Sequence, residues 1–316
     1  MTFFNVLEGA KTIAIGGHVR PDGDCVGSCM GMYLYLKEAY PEKEVDIYLQ
    51  NIQEALKILE KMDEICEEIP EGKEYDLFIS QDCGDKERLD FSVSLFDSAK
   101  HTFCIDHHIS NKGFAEYNYI IPEASSTSEL VFNLLDKEKI SDNVAKALYL
   151  GIVHDTGVFQ YSCATPATFR VAATLLEKKF DAPKLIQETY YQKSFAQNKI
   201  LGYALMNAEL FCSGLCISSF LCKEDMDKFG VTSKDLDGIV AQLRNTSGVE
   251  VAIFMYELET GVYKVSLRAS NYADVSKVAQ MYGGGGHVKA AGCSMNGIPE
   301  EIMKKLTEQL ELQLRR

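Results

Sequence analysis

The residues best equipped for chemistry come first in the stretch His18-Val19-Arg20-Pro21-Asp22-Gly23-Asp24, where one imidazole and two carboxylates follow the apolar run Thr12-Ile13-Ala14-Ile15. Imidazole nitrogen together with hard carboxylate oxygen is a donor set for a divalent cation. An Asp-Gly-Asp turn beside a histidine is also the composition of a solvated loop, so the stretch decides nothing alone. What gives it weight is recurrence. Tyr75-Asp76-Leu77-Phe78-Ile79-Ser80 leads into Gln81-Asp82, and Thr102-Phe103-Cys104-Ile105 leads into Asp106-His107-His108. Buried charge must be paired or metal-bound, so a cluster of ligand-type residues at an apolar strand end points to function. Asp155 follows the apolar helical run Ala147-Leu148-Tyr149-Leu150-Gly151-Ile152-Val153; it is placed for a ligand, or else it caps the next turn.

A second chemistry is suggested by Gly283-Gly284-Gly285-Gly286-His287-Val288-Lys289. Consecutive glycines cost backbone entropy, but they let N–H groups approach an anion closely, with His287, Lys289 and Arg268 as donor side chains. The alternative is a flexible hinge beside the C-terminal helix.

The elements needed to position these groups alternate. Strand patterns at 12–15, 44–49, 75–80 and 102–105 are separated by helical patterns at 26–39, 52–62 and 86–99, and helices follow at 125–136, 142–153 and 166–178. Such alternation predicts an α/β fold, a mostly parallel sheet with helices on both faces, and ligands gathered at the strands' carboxyl ends. Residues 182–209 read as a polar helical linker. A smaller α/β domain then restarts, with strands at 214–220, 249–257 and 262–269 and helices at 233–243, 273–281 and 299–314. The expected division is 1–181, 182–209 and 210–316.

With 316 residues the chain suits two domains. Its net charge of −14 argues against a footprint for long nucleic acid, though a short anionic ligand held by a few cations remains compatible. No long uninterrupted apolar run and no basic leader is present, so the chain is expected to be soluble, off the membrane and cytoplasmic. The ten cysteines include no C-x-x-C pair and are expected to be buried reduced thiols, Cys25 and Cys83 serving as packing beside the site.

In order, His18-x-x-Pro21-Asp22-x-Asp24, Asp82, Asp106-His107-His108 and Asp155 resemble the motifs of the DHH phosphoesterase superfamily over essentially the whole chain. Arg268 with Gly283 to His287 resembles the DHH-associated C-terminal domain, and the set is most similar to the nano-RNase and adenosine 3′,5′-bisphosphate phosphatase group. That resemblance implies a metal-dependent phosphodiesterase that hydrolyses very short oligoribonucleotides to mononucleotides, with a cleft between its two domains and a homodimer as a plausible assembly. It implies two divalent cations, Mn2+ first: His18, Asp22 and Asp82 on one, Asp24, Asp82, His107 and Asp155 on the other, Asp82 bridging. His108 is expected to donate a proton or hydrogen bond to the phosphate, with Asp106 orienting its neighbours. Arg268, His287 and the amides of Gly284, Gly285 and Gly286 are expected to hold a second phosphate or the oligonucleotide end. Three other readings stay open: a cyclic di-AMP or pApA phosphodiesterase, a pyrophosphatase or polyphosphatase, and a nucleotide sensor without catalysis.

Overall fold

The computed structural model describes residues 3–314. Contacts divide the chain into two compact units, Met1–Gln192 and Lys193–Arg316. The first unit opens with α1 (Phe3–Gly9), β1 (Thr12–Gly16), α2 (Gly23–Ala39) and β2 (Glu44–Tyr48). It continues through β3 (Ile65–Cys66), β4 (Leu77–Gln81), α3 (Val93–Ser98), β5 (His101–Asp106) and β6 (Tyr117–Ile120). Helices α4 (Thr127–Leu134), α5 (Asp142–Asp155), α6 (Pro166–Leu176) and α7 (Ala182–Ile186) complete it.

All six strands run parallel in the order β3-β2-β1-β4-β5-β6. The chain therefore winds one way from β1 and the other way from β4, and the crevice beyond the carboxyl ends of these two neighbours is the switch point where open α/β sheets bind ligands. Being covered on both faces is why the central strands are continuous apolar runs. Ile13, Ile15, Ile47, Leu77 and Ile79 pack toward α2 and α5, whereas Ala14, Tyr48 and Phe78 pack against Leu89, Leu95 and Phe96.

Helix α2 is buried almost all round its first four turns, which explains its lack of a polar face. It meets α5 at glycine: a Cβ on Gly27 would stand 2.6 Å from both the Ala147 carbonyl oxygen and the Gly151 nitrogen. Serine and threonine caps set the helix starts, Ser126 Oγ accepting from the Glu129 amide, Ser141 Oγ from Val144 and Thr165 Oγ1 from Thr168.

Two expected helices are broken. Residues 52–62 form 3₁₀ turns, Glu54–Leu56 and Met62–Glu64, because Leu56 and Leu59 are pinned into the core and left-handed Lys61 (φ +61°) turns the chain into β3. The 86–99 segment is 3₁₀ over Lys86–Ser92, kinks at Asp90 (φ +49°), and is α-helical only in α3. The short β6 has no clear apolar run and was not expected.

In the second unit α8 (Phe195–Met206), β7 (Glu209–Phe211), β8 (Cys216–Leu221), α9 (Lys223–Phe229), α10 (Ile239–Arg244), β9 (Val251–Glu259) and β10 (Val262–Ala269) precede α11 (Val275–Met281), β11 (Gly285–His287), β12 (Ala290–Asn296) and α12 (Pro299–Leu314). The sheet order is β11-β12-β10-β9-β8-β7, with only β8 and β9 parallel. Along β10, Tyr263, Val265, Leu267 and Ala269 face α11 and α12, while Ala252 and Phe254 of β9 join Ile200 and Ala204 of α8 and Leu243 of α10 on the other face. Residues 182–209 are thus discontinuous: α7, a π-helical turn over Gln187–Tyr191, a break, and α8, whose Ile200 and Ala204 belong to the second unit's core. The expected helix 233–243 is interrupted at Gly238, whose φ is +87°.

The four-glycine stretch is neither an open loop nor a hinge. Gly285, Gly286 and His287 form edge strand β11, paired with Gly292, Ala291 and Ala290 of β12. Gly286 has φ +137°, and a Cβ there would stand 2.4 Å from the Ala290 carbonyl oxygen, so glycine is what lets the two strands meet. Among the described residues no helix is long and apolar enough to cross a membrane.

Candidate active site

Asp82 is the centre. It follows β4 directly, in the left-handed region (φ +55°) that a non-glycine residue seldom adopts, held there by its amide donating to the Ile105 carbonyl at 3.1 Å. Its two carboxylate oxygens face different partners. Oδ2 lies 3.6 Å from His18 Nε2, and Oδ1 lies 3.6 Å from both His107 Nε2 and His108 Nδ1.

On the His18 side, the residue arrives at the end of β1 with Nδ1 against the Val19 carbonyl, which turns Nε2 toward Asp82 and toward Asp22 Oδ1, 3.7 Å away. Asp22 caps α2, its Oδ1 accepting from the amides of Asp24 and Cys25 at 3.1 Å each. Cys25 Sγ, treated as packing on sequence grounds, accepts from the His18 amide at 3.2 Å and belongs to a donor group with His18 and Asp82.

On the other side His107 Nε2 lies 3.4 Å from Asp155 Oδ2 and 4.0 Å from Asp24 Oδ2. Asp155 is the last residue of α5, and its carboxylate turns toward His107 instead of capping the turn that follows. Asp24 is fixed by the N-terminus of α4, its two oxygens accepting from the amides of Thr127 (2.6 Å) and Ser128 (2.9 Å). Thr127 Oγ1 also donates to Asp82 Oδ1 at 3.1 Å. His108 Nδ1 lies 2.7 Å from Asp106 Oδ1, which accepts from the amides of His107 and His108 as well, and Asn111 Nδ2 donates to Asp106 Oδ2 at 2.7 Å.

The structure thus brings His18, Asp22, Asp24, Asp82, Asp106, His107, His108 and Asp155 together, and adds Thr127, Ser128 and Asn111. These three were missed because they read as a helix start and a loop. The run Ser125-Ser126-Thr127-Ser128 ahead of Glu129 marks a helix N-terminus, whose free amides favour carboxylates, so the signal was there to be used.

In the second unit Arg268, Ala290 and His287 stand in register across three adjacent strands, which puts the Arg268 and His287 side chains on one face of the sheet. Gly285 and Gly286 are exposed on the edge strand, but the Gly284 amide is committed to the Ala279 carbonyl at 2.9 Å. Lys289 is likewise engaged, its Nζ donating to the carbonyls of Asn271 (2.6 Å) and Ala273 (3.3 Å).

The profile described as "DHH family, N-terminal domain" matches residues 12–152, and "DHHA1 domain" matches residues 214–315. A Bacillus subtilis (strain 168) protein named bifunctional oligoribonuclease and PAP phosphatase NrnA is 32% identical over 289 residues, 90% of this chain and 89% of that protein. The chain belongs to the DHH family. A Streptococcus mutans protein named as a probable bifunctional oligoribonuclease and PAP phosphatase is 30% identical over 98% of both chains. The crystal structure of an exopolyphosphatase-related protein from Bacteroides fragilis is also similar, with a TM-score of 0.89 and 28% identity, covering 98% of this chain and 94% of that one.

In this DHH chain the donor set fits divalent metal, and three of its groups could each hold an ion: His18, Cys25 and Asp82; Asp82, His107 and His108; Asp24, His107 and Asp155. The electrostatics agree. Burial and then the nearby Asp82 push Asp24 up to about 7, and burial with Asp24 holds Asp155 well above the carboxylate range. Burial and mutual repulsion thus favour the neutral form of these crowded carboxylates, a penalty that a bound cation would relieve. Burial would lower His107, yet Asp155 and Asp24 lift it to about 9; burial would lower His108 too, and Asp106 raises it.

Proposed function

We propose that this chain is a metal-dependent phosphoesterase that hydrolyses very short oligoribonucleotides to mononucleotides and removes a phosphate from adenosine 3′,5′-bisphosphate, using two divalent cations, Mn2+ first. The observation that carries the reading is Asp82, whose two carboxylate oxygens face His18 on one side and His107 on the other, the disposition of a bridging ligand. His18, Asp22 and Asp82 would hold one ion, and Asp24, Asp82, His107 and Asp155 the other. When bound, such a pair withdraws charge from a phosphate and acidifies water for in-line attack.

The chain's own groups supply the rest. Thr127 and the α4 amides fix the carboxylates before substrate arrives, so little reorganisation is needed. Asp106 keeps a proton on His108 Nδ1, and the raised His108 then donates from its other nitrogen to the leaving 3′-oxygen. Arg268 and His287, together with whichever amide of the Gly285-Gly286 edge strand faces away from β12, are assigned a second phosphate or the oligonucleotide end. A few local donors can hold such a group without a basic surface, in keeping with the net charge of −14.

The test is Mn2+-dependent release of mononucleotide from a labelled diribonucleotide and of phosphate from adenosine 3′,5′-bisphosphate, run beside cyclic di-AMP, pApA and inorganic pyrophosphate. Both activities should vanish in Asp82→Ala together with Mn2+ binding. Faster turnover of pyrophosphate or cyclic di-AMP than of the dinucleotide overturns the substrate assignment.

A further inference from the structure

We infer that Cys25 makes the His18 side of this centre a trap for a thiophilic divalent cation, zinc or cadmium, held by His18, Asp22, Cys25 and Asp82 in a closed four-donor site that silences the enzyme. The inference rests on the proposed role of His18, Asp22 and Asp82 as one ion's ligands.

The Cys25 sulfur, a ring nitrogen of His18 and a carboxylate oxygen of Asp82 lie within 4.8 Å of one another, and all three residues are buried. Asp22 Oδ1 completes the group, 3.7 Å from His18 Nε2 and accepting from the Cys25 amide at 3.1 Å. The sulfur is aimed there by local structure. Cys25 stands in the first turn of α2, and its Sγ accepts from the His18 amide at 3.2 Å. Gly17 leaves it the room: a Cβ there would stand 2.3 Å from Cys25 Sγ and 3.1 Å from Cys29 Sγ.

Zinc bonds thiolate at about 2.3 Å and imidazole at about 2.0–2.1 Å in tetrahedral array, which spaces neighbouring donors about 3.5 Å apart. The separations of 3.6 and 3.7 Å from His18 Nε2 to Asp82 and Asp22 already match that spacing. On binding, the thiol gives its proton to solvent and the sulfur lone pair forms the metal bond. A harder ion such as Mn2+ keeps to oxygen, imidazole and water and does not recruit the sulfur. Four protein donors fill a tetrahedral ion, so the open position that a hydrolytic metal needs for water is gone.

Metal-stripped full-length chain titrated with Cd2+ should develop ultraviolet thiolate-to-cadmium charge-transfer absorption. The absorption should be lost in Cys25→Ser and Cys25→Ala, kept in Cys29→Ser one helical turn away, and suppressed by saturating Mn2+. Cd2+ affinity at this position should fall by about tenfold or more in Cys25→Ser, since even groups that only orient ligands are worth that much. Far-ultraviolet circular dichroism reports whether each variant keeps its fold. A wild-type chain without the band, or a folded Cys25→Ser chain that keeps it, overturns the inference while Mn2+-dependent hydrolysis stands. Absence of Mn2+-dependent hydrolysis in the wild-type chain overturns the two-ion reading instead.

Discussion

Thr127 carries no charge, yet its hydroxyl, donating to Asp82 at 3.1 Å, fixes the carboxylate on which the whole centre turns. Thr127→Val should weaken Mn2+ binding about 10- to 100-fold, as loss of a ligand-orienting group does, and Thr127→Ser should restore it. Titration followed by the electron paramagnetic resonance signal of free Mn2+ decides this, and wild-type affinity in the valine variant removes the role. Asn111 acts in the same way on Asp106. Its amide bridges Asp106 Oδ2 (2.7 Å) and the Cys83 carbonyl (2.9 Å), so Asn111→Ala leaves two buried acceptors short of a donor. That should cost about 1–3 kcal/mol of stability, read from the urea midpoint of the full chain. The clustered carboxylates and imidazoles were readable as candidates because most of them stand close behind an apolar run, where a charge has no cheap structural explanation. Thr127 and Asn111 were not, because a threonine at a helix start and an asparagine in a loop have ordinary reasons to be there.

Helices α2 and α5 each carry one carboxylate proposed for the second ion, Asp24 at the start of one and Asp155 at the end of the other, and their separation is set where Gly27 meets Gly151. Gly27→Ala drives a methyl into the α5 backbone, which cannot yield as a flexible side chain would. It should destabilise the chain by about 1–3 kcal/mol and weaken Mn2+ binding as the two carboxylates part. An unchanged thermal midpoint with unchanged Mn2+ affinity would show that the helix spacing is not critical. At this scale periodicity located β1, β4, β5 and α5 well, since their apolar faces are dictated by burial. It failed at 52–62 and 86–99, where local helical pattern is overridden by Leu56, Leu59 and the turns at Lys61 and Asp90. At 283–286 the glycines pair with β12, a partner several residues away that no local pattern names.

For the whole chain, two compact units with separate cores predict two thermal transitions, of which only the first should rise with Mn2+. A midpoint shift of both units with Mn2+ in calorimetry contradicts this. The second unit carries its own pH dependence. Glu250 is buried, which would raise its carboxyl, but the amides of Ala273, Tyr272 and Asn271 hold it below the ordinary range. A carboxyl lowered on folding stabilises fully above its unfolded value of about 4.3, and that contribution is lost as pH falls through the folded value. Acid should therefore loosen the second unit, and Glu250→Gln should flatten the loss while destabilising the unit at neutral pH. A variant whose midpoint tracks wild type from pH 7 to pH 3 would refute the role.

Composition and order alone determined that ligand-type residues end apolar strands, that the chain is α/β in two parts, and which side chains were candidates, because burial makes charge at such positions expensive. Tertiary structure alone decided that Asp82 faces two ways, that α4 presents its amides to Asp24, and that Gly284 and Lys289 are already engaged. The direction of a carboxylate or an amide depends on partners from distant segments, and no local pattern encodes those.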